Sequence, residues 1–134
     1  MPDETAISSV HSRIGDAGFE RLVAAFYRRI PHDDLLGPLY PAEDLQGSEY
    51  RLRSFLIFRF GGPDRYLHER GHPQLRMRHA PFAIGQAARD RWVSLMDQAL
   101  EETDLPAEAT AIIRPFLQEV ATFLINRGSK PAII

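Results

Sequence analysis

Two histidine-bearing segments hold the residue types most able to do chemistry. The first, His68-Glu69-Arg70-Gly71-His72, reads as H-E-x-x-H, the pattern that sets two zinc ligands and a general base on one helical turn. That chemistry needs an unbroken helix. Here Gly71 falls inside the turn and Pro73 follows the last histidine, so the two imidazoles are not expected to converge. No third-ligand motif follows downstream, and zinc hydrolysis is set aside. The second segment, Leu75-Arg76-Met77-Arg78-His79-Ala80-Pro81-Phe82, has three readings from its residues alone. It is a solvated basic turn, a phosphate-contacting patch of a nucleic-acid binder, or a short helix between Pro73 and Pro81. In the last case His79 is an axial ligand, and the arginines beside it meet anionic groups of a cofactor. A lone histidine is more often structural than a ligand, so the rest of the chain has to decide.

The chain has 134 residues, 44% hydrophobic and 25% charged, the balance of one ordinary domain that can bury its own core. Its 16 Lys and Arg against 18 Asp and Glu give a formal charge of -2, which weakens the nucleic-acid reading and offers no global attraction to anionic lipid. The absence of cysteine excludes disulfides, thiolate metal sites, thiol catalysis and the C-x-x-C-H attachment of a covalent haem. The amino end, Met1-Pro2-Asp3-Glu4-Thr5, is acidic and lacks the basic and apolar regions of a secretory signal. Apolar runs are too short to span a bilayer. A cytoplasmic protein with no membrane or nucleic-acid partner is expected.

The elements that must position these residues read as helices. Phe19, Leu22, Val23, Phe26, Tyr27 and Ile30 follow the i, i+3, i+4, i+7 stripe of an amphipathic helix, and Pro31 stops it. A second helix is expected over residues 47–60, with Leu52, Phe55, Leu56 and Phe60 on roughly one face before Gly61-Gly62-Pro63. Its run of aromatic and branched residues from Phe55 to Phe60 is also compatible with a buried strand. Ala88, Trp92, Leu95, Met96, Ala99 and Leu100 mark a third helix. A fourth opens near Pro106 and turns Ile112, Ile113, Phe116, Leu117, Val120, Phe123 and Leu124 inward, with Pro115 expected to bend or interrupt it. Residues 61–85 show no sustained stripe and are expected to form loops and short turns, where function tends to sit. An all-α, single-domain chain over residues 1–134 follows. Residues 1–14 are expected to be an extension or short helix, and 128–134 a tail.

With these residues in place, the chain resembles the group II truncated haemoglobins over nearly its whole length. The run Gly71-His72-Pro73-Gln74-Leu75-Arg76-Met77-Arg78-His79-Ala80-Pro81-Phe82 resembles the signature around their proximal histidine. Phe26-Tyr27 resembles the distal tyrosine site, and Leu39-Tyr40-Pro41 the second tyrosine position at the following corner. Gly61-Gly62-Pro63 matches the glycine pair that ends the distal helix. Arg89-Asp90-Arg91-Trp92 matches the segment carrying the pocket tryptophan. Two departures stand out. A second glycine pair common before the first strong helix is replaced by Gly15-Asp16-Ala17-Gly18, so that entry should differ. The distal position where many globins carry histidine falls on Ser48.

The resemblance implies a globin-like fold of the truncated type, two antiparallel helix pairs crossed as a two-over-two sandwich around one non-covalent haem b. It implies His79 as the iron ligand, with Tyr27, Tyr40 and Trp92 as distal hydrogen-bond donors. Leu52, Phe55 and Leu56 would wall the haem, alongside Ser48 and Phe82, and Tyr66, Arg76 and Arg78 are candidates for its propionates. The implied partners are oxygen, carbon monoxide, nitric oxide or similar small ligands, together with an unidentified reductase, in a monomer or homodimer. Reversible oxygen binding with slow release suits such a donor network, so Trp92→Phe and Tyr27→Phe should each raise the oxygen off-rate. Two further readings remain at this point, a haem enzyme acting on nitric oxide or peroxide and a haem-free helical interaction module.

Overall fold

The stripes become helices in the computed structural model of the chain, which describes residues 3–127. The α-helices among them are α1 (Glu4–Ser8), α2 (Val10–Arg29), α3 (Leu45–Arg59), α4 (Arg65–Arg70), α5 (Leu75–His79), α6 (Gln86–Thr103) and α7 (Ala107–Phe123). Three short 3-10 turns, Ile30–His32, Gly37–Leu39 and Ala42–Asp44, carry the chain from α2 to α3. The tail expected over residues 128–134 lies outside the described residues. No helix among the described residues is long and apolar enough to cross a membrane.

α2 starts nine residues ahead of the first residue of the predicted stripe, because Val10 is fully buried and the helix bends rather than begins at the glycines. Gly15 takes φ +65, a left-handed kink, and a side chain at Gly18 would come within 2.6 Å of Ile14 Cβ. Gly15 and Gly18 thus shape the entry to the buried part of the helix. Beyond them Phe19, Leu22, Val23, Phe26 and Tyr27 are buried, and Pro31 sits in the 3-10 turn that ends the helix. α3 settles the helix-or-strand ambiguity of residues 55–60. Its run is rich in aromatic and branched residues because Ser54, Phe55, Leu56 and Ile57 are all buried in succession, which requires cover on more than one helical face.

Side-chain pairs fix the topology. Arg89 Nε donates to Thr122 Oγ1 at 3.0 Å and Arg114 Nε pairs with Asp97 at 3.1 Å. Position rises along α6 as it falls along α7, so the two run antiparallel, joined at Asp104 with φ +50. α2 and α3 are antiparallel by the same reasoning. Phe19 stacks on Phe60 with ring centroids 5.7 Å apart, and Tyr27 reaches Ser48 at the other end. α2 then crosses α6, tied by Arg21 to the Thr103 carbonyl at 3.0 Å and by Arg28 and Arg29 to Glu102. The result is the two-over-two sandwich, all-α among the described residues. Phe19, Leu22, Phe26, Leu56, Phe60, Met96 and Ile113 are buried within it.

Of the bend or interruption expected at Pro115, the interruption is absent, and α7 runs on through it. The carbonyl that the missing proline N–H would have met belongs to Ala111, which is exposed, so water can satisfy it. Phe123 does not face inward either. It is 55% exposed, on the last turn of the helix, with the Arg76 guanidinium 5.1 Å over its ring. Of the residues expected inward, Ile113 and Leu117 are buried, together with Ala109 and Ala121.

The segment of residues 61–85 carries α4 and α5, and the amino-terminal end of the chain holds its entry in place. Gly61 has φ +98, and a Cβ there would lie 1.8 Å from the Ser8 carbonyl oxygen, so only glycine fits. His11 donates its backbone N–H to the Phe60 carbonyl at 2.9 Å. Asp16 accepts from Arg65 at 2.9 Å and pairs with His11 Nε2 at 2.7 Å, which links α2 to the start of α4. The His11 bond first, then Arg65, holds the Asp16 carboxyl below its ordinary pKa against the opposing effect of burial.

Candidate functional site

His79 closes α5. Its Nδ1 donates to the Leu75 carbonyl at 2.7 Å, four residues back on the same short helix. That bond places a proton on Nδ1, so in a neutral ring the lone pair lies on Nε2. α5 buries none of its five residues and opens at Gln74 in the left-handed region, with φ +46 and no side-chain cap, so it has little hold of its own.

Arg78 supplies some of that hold. Its Nε donates to the Pro73 carbonyl at 2.7 Å, and its Nη2 donates to Arg70 at 2.8 Å and His72 at 3.4 Å. Arg76 is exposed and rests on Phe123. Phe82 is 38% exposed and Met77 62%, an apolar surface beside His79 in the chain. No motif or spacing points to Asn126. Its Nδ2 donates to the His79 carbonyl at 3.2 Å and to Phe82 at 2.9 Å, while its Oδ1 accepts from the Ile84 N–H at 2.9 Å. A lone asparagine after a helix end carries no pattern, and only the folded chain brings it to residue 79.

The sandwich gathers Tyr27, Tyr40, Ser48 and Trp92 into one cluster. Tyr27 Oη and Ser48 Oγ are 2.6 Å apart. The Tyr27 ring meets Phe26 and Tyr40 edge-on at 5.4 and 5.7 Å, and Phe26 leans on Trp92 at 5.2 Å. Burial, and then Tyr40 beside it, raises the Tyr27 phenol well above its ordinary pKa despite the Ser48 bond. Burial pushes Tyr40 up to about 12, countered by the Trp92 indole N–H at its hydroxyl. Both phenols therefore keep their protons at any physiological pH and remain donors. Arg91, next to Trp92, pairs with Asp33 at 2.5 Å. Burial works against the Asp33 carboxylate, but the Leu36 amide, Arg91 and the Leu35 amide outweigh it and keep its pKa low. This pins the start of α6 to the corner that carries Tyr40.

Leu56 is fully buried, Phe55 is 8% exposed and Leu52 is partly buried against the core. Tyr66 is buried as well, its ring against Phe55 at 5.6 Å and parallel to Phe58 at 6.5 Å. The H-E-x-x-H string makes no metal site. Gly71 has φ +77 and ends α4, His68 pairs with Asp64 at 3.2 Å, and Glu69 accepts from the Tyr50 hydroxyl at 2.8 Å. No group of three or more potential metal-holding His, Cys, Asp or Glu occurs among the described residues.

The family described as bacterial-like globin matches residues 9–126. The chain belongs to that family. Its curated relatives include the group 2 truncated hemoglobin YjbI of Bacillus subtilis, 33% identical, with 91% of this chain and 92% of that protein covered. Among solved structures, the hemoglobin of the thermophilic phototrophic bacterium Chloroflexus aurantiacus is 42% identical with a TM-score of 0.85, covering 88% of this chain and 98% of its own. The truncated oxygen-avid haemoglobin of Bacillus subtilis is 34% identical with a TM-score of 0.83, covering 87% and 98%. This globin is thus a group II truncated haemoglobin by its relatives, and membership implies a haem cofactor and small gas ligands. The residues present fit that group. An imidazole with one nitrogen committed to a carbonyl, apolar side chains from α3 and a cluster of neutral O–H and N–H donors are the donor set that haem and a diatomic ligand require.

Proposed function

We propose that this globin holds haem b without covalent attachment, through His79 Nε2, and binds oxygen reversibly on the side lined by Tyr27, Tyr40 and Trp92. The observation that carries the reading is the 2.7 Å bond from His79 Nδ1 to the Leu75 carbonyl, which orients the ring and raises the basicity of the nitrogen offered to a metal. When bound, haem iron supplies a coordination position at which a diatomic gas can add.

The remaining work belongs to the chain. Leu52, Phe55 and Leu56 wall the macrocycle and exclude water, each burial contributing about 1.5–3 kcal/mol, while Phe82 covers the His79 side. Ser48 orients the Tyr27 hydroxyl, and Tyr27, Tyr40 and Trp92 offer hydrogens to a ligand that accepts them. Oxygen accepts such hydrogens better than carbon monoxide, so the donors favour oxygen and slow its release. Arg76 would meet a propionate from the surface, whereas Tyr66, a propionate candidate by resemblance, is buried against Phe55 and Phe58 and would line the wall. Arg78, whose Nε and Nη2 are engaged by backbone carbonyls, acts mainly by holding the loop. The test is an absorption spectrum of the purified protein beside His79→Gly, with and without dithionite and carbon monoxide. A Soret band present in the first and lost in the second is expected. A folded chain that takes up no hemin, or takes it up equally after the substitution, would overturn the reading.

A further inference from the structure

We propose that Asn126 is the positioning residue for the proximal histidine, an inference that rests on His79 being the iron ligand. α5 has five residues, none of them buried, and a helix of that length has almost no stability of its own. Only Leu75 packs α5 against the core, so much of the orientation of His79 must come from outside the helix. One end of the ring is tied within α5, through Nδ1 to Leu75. The main chain of His79 is tied outside it, by the Asn126 amide.

The Asn126 side chain uses donors and acceptor in opposite directions, with Nδ2 on the His79 and Phe82 carbonyls and Oδ1 on the Ile84 N–H. Two main-chain bonds complete the join. Asn126 N and Arg127 N donate to the Ile84 carbonyl at 2.8 and 3.0 Å. The His79 carbonyl accepts the Phe82 N–H at 3.0 Å, and Asn126 Nδ2 takes its second lone pair, so the turn that follows α5 is held from outside as well as from within. Asn126 follows α7, whose Ile113, Leu117 and Ala121 are anchored in the core. The proximal ligand is thus referenced to α7 and through it to the sandwich. No other side chain of similar size matches this demand, since aspartate lacks both donors and leucine lacks every polar atom.

The test compares the full-length wild type with Asn126→Ala and Asn126→Asp by three measurements. They are hydrogen exchange of residues 75–84 in the hemin-free chain, hemin loss to a scavenging apoglobin, and the iron–histidine stretching band of the ferrous form. Both variants should keep the helical circular dichroism and the exchange protection of α2 and α6, yet exchange faster over residues 75–84. Both should lose hemin about five- to tenfold faster and show a shifted or broadened stretching band. Aspartate preserves shape and the acceptor for the Ile84 N–H, so a wild-type-like Asn126→Asp would show that the Nδ2 bonds to His79 and Phe82 position nothing and would overturn the proposal. Unchanged exchange over residues 75–84 in Asn126→Ala would overturn it as well. A wild type that binds no hemin defeats the ligand reading instead, and the exchange data still decide the clamp.

Discussion

Replacing Tyr27 by phenylalanine removes one hydroxyl and almost nothing else. The ring contacts to Phe26 and Tyr40, at 5.4 and 5.7 Å, are available to either residue. The lost bond to Ser48 costs about 1 kcal/mol of stability, because the serine hydroxyl can turn to a helix carbonyl. The effect on ligand release is larger. Burial keeps the Tyr27 phenol protonated, so it has a single hydrogen to give, and a hydrogen bond to a ligand bearing partial charge contributes about 1.5–3 kcal/mol. Losing it should speed oxygen dissociation roughly 10–100-fold. Ser48 lies 2.6 Å away and competes for that hydrogen. The full effect requires Ser48 to be the donor in their mutual bond, and Ser48→Ala tests this by leaving Tyr27 no alternative acceptor. Stopped-flow displacement of oxygen by carbon monoxide measures the rate, with Trp92→Phe as the companion variant. Off-rates within about twofold of wild type in both Tyr27→Phe and Trp92→Phe, with spectra and helicity intact, would refute the distal-donor mechanism.

The raised phenol pKa values also bear on stability. Tyr40 titrates at about 12 in the folded chain against 10.0 ordinarily, and Tyr27 shifts in the same direction. In this range the folded chain keeps protons that the unfolded chain releases, so the stabilisation is whole below pH 10 and is lost as pH rises through 10 to 12. Urea midpoints should fall over that window and fall less in Tyr40→Phe; equal slopes in the two proteins would contradict the assignment. At the end of α3, Gly61→Ala drives a methyl to 1.8 Å from the Ser8 carbonyl at φ +98 and should cost on the order of 3 kcal/mol. Gly71→Ala, with φ +77 and nothing within 4 Å, should cost only about 1 kcal/mol. Denaturant melts of the pair separate collision from backbone strain, and equal losses would show that the Ser8 contact is not what excludes a side chain.

Periodicity was enough for the scaffold because each long helix buries a stripe that no other period reproduces. Leu95, Met96, Ala99 and Leu100 on α6 and Phe19, Leu22, Val23 and Phe26 on α2 are where the spacing put them. What escaped was decided by contacts between distant segments. Arg78 stands beside His79 in the chain and reads as an arm for an anionic group, yet its guanidinium folds back on three carbonyls of its own loop. Phe123 continues the α7 stripe in spacing, but the buried positions of the helix end at Ala121. Asn126 and the Asp33–Arg91 pair join residues 42 or more positions apart, and no local pattern encodes such a partnership. Motif resemblance brought Tyr27, Tyr40, Trp92 and His79 to notice, whereas their hydrogen-bond partners became visible only in three dimensions.

The seating of Gly61 under the Ser8 carbonyl has a practical consequence for anyone remodelling the amino-terminal end. Shortening the chain past α1, or fusing a rigid domain directly to Glu4, would strip a lid from the corner where α3 hands over to the segment that carries His79. Damage done at Ser8, far upstream of Gly61 in the chain, would then surface in the segment around His79, and its origin would be sought in the wrong place.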